Sequence, residues 1–106
     1  MTPKFLQIVT AVDNQSEAEQ LIKLIAEKRI GVSAQVQGPT IIDKPHVDAP
    51  AEDLKWRCKF KTTEELLPRV KEELRIFFPD GYPELTVLPI VKGSQPFFEW
   101  LEKELK

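Results

Sequence analysis

The sequence predicts an α+β domain whose elements follow the order β-α-β-β-α-β, with one further helix at the C-terminus. Three patterns carry this prediction: a strand-like run at residues 5–11, a helical stripe at residues 18–25, and a strict alternation at residues 54–61. Strand side chains alternate between two faces, whereas helical side chains recur every 3.6 residues. In this order four strands form an antiparallel sheet with two helices on one face, an arrangement called ferredoxin-like.

Length and composition narrow the class of protein. The chain has 106 residues, which predicts a single domain over residues 1–106. Its net charge is −2, so the composition gives no reason to expect nucleic acid or a membrane as a partner. Cys58 is the only cysteine, which excludes an internal disulfide and is typical of a reducing compartment. We therefore expect a cytoplasmic protein.

The first strand and helix are predicted from residues 5–30. Apolar side chains lie on both faces of the strand, which places it inside the sheet and requires the second face of the sheet to be buried as well. Asn14 with Glu17 forms a capping-box pattern at the start of the helix. A period-two strand then begins at Val32, Gly38-Pro39 interrupts it, and Ile41-Ile42 is a candidate for its resumption. Residues 43–53 have no periodicity and are predicted to form a loop.

The second half of the chain is predicted to contain two strands and two helices. In the strand at 54–61, Trp56, Cys58 and Phe60 alternate with basic side chains. Thr62 with Glu65 suggests a second capping box, with the regular helix starting near Leu66 because of Pro68. The fourth strand ends at Pro89, which cannot donate to a ladder. The tail helix is predicted to carry Phe97, Leu101 and Leu105 along one face, with Trp100 largely buried against the sheet or a neighbouring subunit.

In order and spacing, several short stretches resemble the CutA divalent-cation tolerance proteins. They are Val9-Thr10-Ala11 with Asp13, Glu27-Lys28-Arg29-Ile30, Lys61-Thr62, Pro79, Pro83-Glu84, Leu88-Pro89-Ile90, Gly93 and Phe98-Glu99-Trp100-Leu101. The resemblance covers almost the whole chain. It implies a ferredoxin-like fold, a homotrimer with some likeness to PII signalling proteins, and a non-enzymatic role in the response to divalent metal ions, with ligand binding at clefts between subunits.

The chain departs from that family where the family's metal-linked residues lie. Ser33 stands where the family usually has cysteine, and the family's His-Pro-Tyr-Glu stretch reads Phe78-Pro79-Asp80-Gly81. The family's aromatic Tyr-Trp-Trp tip is replaced by a proline-rich segment around His46. The ion chemistry of the family therefore cannot be transferred residue by residue to this chain.

Two groups of side chains are candidate ligand sites. Arg57, Lys59, Asp80 and Tyr82 are candidate ligand-binding residues. In the alternative, PII-like function, the basic face of the strand at 54–61 or the loop at 43–53 would bind a small anionic effector. His46, Asp43 and Asp48 could offer one nitrogen and two oxygens to a divalent ion. A transition-metal site of useful affinity needs several nitrogen or thiolate donors. We therefore expect weak divalent metal binding and no other cofactor.

Cys58 and the run Val36-Gln37-Gly38 are two further candidates for a catalytic role. Cys58 alternates with Trp56 and Phe60, which favours a buried, inert thiol over a nucleophile. The run Val36-Gln37-Gly38 is similar to a phosphate-binding run of acylphosphatases, but it follows the second strand instead of the first. No arginine stands at the matching spacing, so a hydrolase of that type is the weakest of the three functional hypotheses.

Overall fold

A computed structural model describes residues 4–41, 54–80 and 84–105. It confirms the predicted order of elements: four strands, two helices and one additional C-terminal helix. The elements are β1 (Phe5–Val12), α1 (Gln15–Glu27), β2 (Val32–Ile41), β3 (Leu54–Thr63), α2 (Leu67–Phe77), β4 (Leu85–Pro89) and α3 (Gln95–Glu104).

The four strands form one antiparallel sheet in the order β2-β3-β1-β4. β1 lies between β3 and β4, as its two apolar faces predicted. The register places Ile8 opposite Phe60 in β3 and opposite Val87 in β4. β4 is an edge strand that ends at Pro89, where the missing backbone donor costs no ladder hydrogen bond.

The hydrophobic core lies on one face of this sheet. Ile8, Cys58 and Phe60 supply buried side chains from the two central strands. The helices add buried residues to the same cluster: Ala18, Leu21 and Ile25 from α1, Val70 and Leu74 from α2, and Leu101 from α3. The opposite face, called the second face below, carries the side chains that alternate with these strand residues. Among the buried residues there, Val9 and Ala11 do not belong to the core cluster.

Helix α1 begins and ends through identifiable contacts. The side chain of Asn14 accepts a hydrogen bond from the backbone N–H of Glu17 at 2.9 Å, which confirms the predicted N-cap. After the helix, Arg29 adopts a left-handed backbone with φ 55°. Its guanidinium donates to the carbonyls of Lys103 and Glu104, each at 3.2 Å. The turn at Arg29 therefore ends α1, and the Arg29 side chain supplies hydrogen-bond donors to the C-terminal carbonyls of α3.

One local prediction requires correction. Thr62 is not a helix cap: it lies within β3, and its buried hydroxyl donates to the carbonyl of Ile30 at 2.7 Å. The hydroxyl of Thr63 instead accepts from the N–H of Leu66 at the turn before α2. The predicted interruption of β2 at Gly38-Pro39 is confirmed, because the register shifts between Gln37 and Thr40 before pairing continues to Ile41.

Helix α3 presents Leu101 and Leu105 to the core, as its apolar stripe predicted, whereas Trp100 is not buried by the single chain. Leu101 is fully buried in the core, whereas 43% of Trp100 is exposed in the single chain. Trp100 stacks on Phe97, with ring centroids 6.2 Å apart, and Phe98 stacks on Phe5 at 4.6 Å. The helical phase points Trp100 away from the core because Leu101, its immediate neighbour, points into it.

Candidate functional site

The candidate site is a row of basic side chains on the second face of the sheet. β3 alternates strictly, so Cys58 and Phe60 enter the core while Lys55, Arg57, Lys59 and Lys61 lie on the second face. All four side chains are half-buried. Their aliphatic stems can cover apolar surface while the charged ends reach solvent, as is common for long basic residues.

The first two basic residues of the row are paired with acidic side chains. Lys55 forms an ion pair with Asp13, which follows β1. Arg57 lies beside Ala11 in the register and reaches Glu84, on the far side of β1, with Nη2 to Oε1 at 3.5 Å. The small side chain of Ala11 leaves room for the guanidinium to cross β1. The charges of Lys55 and Arg57 are therefore balanced within the chain.

Glu84 is held in place by its backbone as well as by its charge. The hydroxyl of Thr10 donates to the Glu84 carbonyl at 2.7 Å, immediately before β4 begins. The Nε of Arg57 is buried and makes no hydrogen bond within the described residues. An unpaired buried donor of this kind costs about 1–3 kcal/mol. The arginine is thus fixed by one ion pair while one of its donors stays unused.

The last two basic residues of the row have no acidic partner in the described part of the chain. Lys59 is flanked by Val9 of β1 and Gln35 of β2, and Lys61 is flanked by Gln7 of β1. These neighbours are apolar or uncharged. The second face therefore has a neutralised half at the start of β3 and a positively charged half at its end.

The structure brings together only part of the predicted ligand site. Arg57 and Lys59 lie side by side on the second face. Asp80 is exposed in the turn after α2, and no hydrogen bond or ion pair within the described residues joins it to Arg57 or Lys59. Tyr82 lies outside the described residues, and so do all three candidate metal ligands, which are His46, Asp43 and Asp48.

Glu84 and Thr10 were missed by the sequence reasoning. Glu84 alternates with Thr86 along the predicted fourth strand, so its face could have been assigned. Its pairing with Arg57 could not, because that contact depends on the register of two strands that are both paired with β1. The register between strands that are distant in the sequence cannot be predicted from a local sequence pattern.

Comparison with known proteins places this geometry in a family. Residues 6–104 match the family model described as CutA1 divalent ion tolerance protein. The chain belongs to this family. A divalent-cation tolerance protein CutA from Thermus thermophilus is 27% identical over 97 residues, which cover 91% of this chain and 93% of the relative. The resemblance noted in the sequence is therefore confirmed.

Solved CutA structures share the fold of this chain. A CutA structure from Synechococcus elongatus, described as complexed with a Bis-Tris molecule, has a TM-score of 0.82 and 27% identity, covering 98% of this chain and 96% of its own. CutA1 from a psychrotrophic Shewanella has a TM-score of 0.84 at 17% identity, covering 99% and 98%. At that lower identity the likeness supports the fold only.

For a member of the CutA1 family, the metal donors of the described part are sparse. Within residues 4–41, 54–80 and 84–105, no group of three or more His, Cys, Asp or Glu side chains could hold a metal ion. Cys58 is buried, and burial raises the pKa of its thiol to about 11. Since a thiol must lose its proton to bind a metal, Cys58 is poorly suited to be a ligand.

Among the described residues, no helix has the length and apolar character that a membrane span requires.

Proposed function

We propose that this CutA1-family protein is a non-enzymatic homotrimer that acts in the cytoplasm in the response to divalent metal ions. In this proposal, ligands bind at clefts between subunits. The main support for the proposed trimer is the second face of the sheet. All three helices bury side chains in the core on the first face, and on the second face Leu88 is left 44% exposed in the single chain.

Exposed apolar side chains support the same assembly. Among the residues that the structure describes, five large hydrophobic side chains are exposed in the single chain: Leu54, Ile76, Leu88, Val91 and Trp100. Leu88 lies on the second face, opposite Gln7 in the register. Such side chains are often covered by a partner subunit, and a closed symmetric oligomer covers them in every copy. We expect an interface of more than roughly 2,000 Å² in total, as in obligate oligomers.

The proposed metal response does not require a tight metal site in this chain. The described residues gather no donor set, and the single histidine, His46, stands without a second nitrogen donor in the sequence. We therefore expect copper and zinc to bind weakly. A trimer could still assemble a site from three copies of His46, and that arrangement is the main competing possibility.

A copper and zinc titration followed by calorimetry tests this expectation. The parent chain should show no submicromolar site, and His46→Ala should behave like the parent. A submicromolar site at one ion per chain or per trimer, lost in His46→Ala, would contradict the expectation. Asp13→Asn, which changes a carboxylate outside the proposed loop, is the matched control.

The alternative function is a PII-like signalling module that binds a small anionic effector. The observation favouring it is the unbalanced charge of Lys59 and Lys61 beside the paired Lys55 and Arg57. A thermal-shift screen with divalent metals, nucleotides and inorganic anions separates the two functions, because a ligand that binds the native state raises its stability. Stabilisation by metals alone favours the first function, and stabilisation by anions alone favours the alternative.

A further inference from the structure

The second face of the sheet carries more positive than negative charge. Two acidic side chains, Asp13 and Glu84, reach the basic row of β3 from other elements, and each is already paired with a basic residue there. Lys59 and Lys61 have no acidic partner in the described part of the chain. Each copy of the protein therefore presents two unbalanced positive charges on this face.

The proposed trimer brings these charges closer together. In a closed symmetric oligomer every copy presents the same residues, so second faces that cover one another place like-charged lysines of different subunits in the same region. The strand neighbours do not neutralise them, because Val9 and Gln35 flank Lys59 and Gln7 flanks Lys61. The lysines of different subunits therefore repel one another, over a distance that the ionic strength sets.

The same face also supplies the attraction between subunits. Leu88 lies on it and is half-exposed in the single chain, beside the apolar side chains of Val9 and Ala11. Covering apolar surface favours assembly, whereas the approach of the ammonium groups opposes it most strongly at low ionic strength. The long lysine stems can lie over apolar surface while the charged ends stay at the edge of the interface. Assembly therefore meets a repulsion without having to bury the charges completely.

We infer that Lys59 and Lys61 are an electrostatic restraint on the proposed trimer, so that ionic strength sets how tightly three copies associate. The inference rests on the proposed assembly and adds its regulation. Carboxylates of a neighbouring copy would give the two lysines the opposite, attractive role. The structure favours repulsion, because both carboxylates that reach the basic row in the described residues are already paired.

Analytical ultracentrifugation of the full chain over a dilution series tests the inference. The measurements use about 0.01 M and about 0.1 M NaCl, where the Debye length is about 30 Å and about 10 Å. The test variant is Lys59→Gln with Lys61→Gln. The control variant is Lys23→Gln with Arg69→Gln, which changes exposed residues of α1 and α2, the helices that cover the first face. The parent has a net charge of −2, and both variants lose two positive charges, which gives −4.

At the lower salt concentration, we expect the trimer of the test variant to be at least about tenfold tighter than that of the control. Net charge cannot explain such a difference, because it is the same in the two variants. The parent trimer should tighten as the salt concentration rises, and the test variant should tighten less. Lys59→Arg with Lys61→Arg, which keeps both charges, should behave like the parent.

The sign of the change decides between repulsion and attraction. A weaker trimer in the test variant than in the control would mean that the lysines hold subunits together, and it would overturn the inference. Equal affinities in the two variants, or an equal salt dependence in the parent and the test variant, would overturn it as well.

The same experiment separates this inference from the proposed assembly. A trimeric parent whose affinity matches that of the test variant contradicts the inference alone, whereas a monomer in the parent and in every variant contradicts the assembly and the inference with it. If the trimers do not dissociate on dilution, the urea concentration at which each one dissociates ranks them in the same order. Far-UV circular dichroism of each variant establishes that its fold is retained.

Discussion

Cys58 shows how burial on the inner face of β3 controls the chemistry of a single side chain. Its thiol is surrounded by the core cluster that also contains Ile8 and Phe60. Removing a thiolate from water is unfavourable, and this raises the pKa of Cys58 from 9.0 to about 11. The residue is therefore a small apolar side chain at neutral pH, as its alternation with Trp56 and Phe60 predicted.

The raised pKa of Cys58 predicts that the free energy of unfolding falls as the pH rises from about 9 to about 11. In that range the unfolded chain releases the thiol proton while the folded chain retains it, so deprotonation favours the unfolded state. Urea unfolding at pH 8 and at pH 10.5 measures the change. Cys58→Ala should lose less stability than the parent over this interval, since lysines and tyrosine titrate alike in both proteins.

An equal decrease in the parent and in Cys58→Ala would contradict this prediction. Thiol labelling gives an independent check. A reagent that reacts with thiolates should modify Cys58 slowly in the native protein at pH 8 and rapidly after unfolding in urea. Rapid labelling of the native protein would mean that the side chain is accessible in solution.

At the scale of elements, Arg29 connects the end of α1 to the end of α3. It occupies a left-handed backbone conformation, and its side chain donates to two carbonyls at the end of α3. Because these carbonyls have no partner within their own helix, the two hydrogen bonds complete the α3 C-terminus.

Arg29→Ala should destabilise the protein by about 1–2 kcal/mol, through the loss of two hydrogen bonds from a charged donor. The same change should accelerate amide hydrogen exchange near the end of α3 more than in α2. Arg69→Ala, on the exposed side of α2, is the control and should change stability by less than about 0.5 kcal/mol. Equal effects of the two substitutions would contradict the proposed role of Arg29.

Within α3, Leu101 should matter more than Trp100 to the stability of the single chain. Leu101 is fully buried, so Leu101→Ala should cost about 2–5 kcal/mol. Trp100 is 43% exposed, so Trp100→Ala should cost less than the roughly 3 kcal/mol expected of a fully buried tryptophan. Chemical denaturation of the two variants under conditions where the chain is monomeric compares them directly.

A larger cost for Trp100→Ala than for Leu101→Ala in the monomeric state would contradict the orientation of α3. If Trp100→Ala instead becomes costly only where the protein is assembled, Trp100 lies in a subunit interface. Comparing the two variants at low and high protein concentration distinguishes these outcomes.

Secondary-structure elements were predictable where neighbouring residues determine them, whereas contacts between residues distant in the sequence were not. The alternation in β3 and the Asn14 cap are properties of neighbouring residues, so they could be assigned without a structure. Thr62 was misassigned because its hydroxyl could accept a hydrogen bond from a helix N–H as a cap or donate one to a distant carbonyl, and it donates to the carbonyl of Ile30. The pair of Arg57 with Glu84 needed the register of three strands, which the sequence does not specify.

At the scale of the whole molecule, the sheet is built with one face in the core and one face outside it. The core face was predictable, because its apolar residues recur along each strand. The division of the second face into a paired half and an unbalanced half was not, because Asp13 and Glu84 reach the basic row from other elements. The charge distribution of the second face therefore depends on contacts between elements that are distant in the sequence.

The central claim is that three copies of this chain cover their second faces together. Light scattering coupled to size-exclusion chromatography, at micromolar concentration and moderate salt, tests it most directly. One chain has a mass of 12.2 kDa, so three times that value predicts about 37 kDa. A single species at 12.2 kDa across the concentration range would contradict the claim.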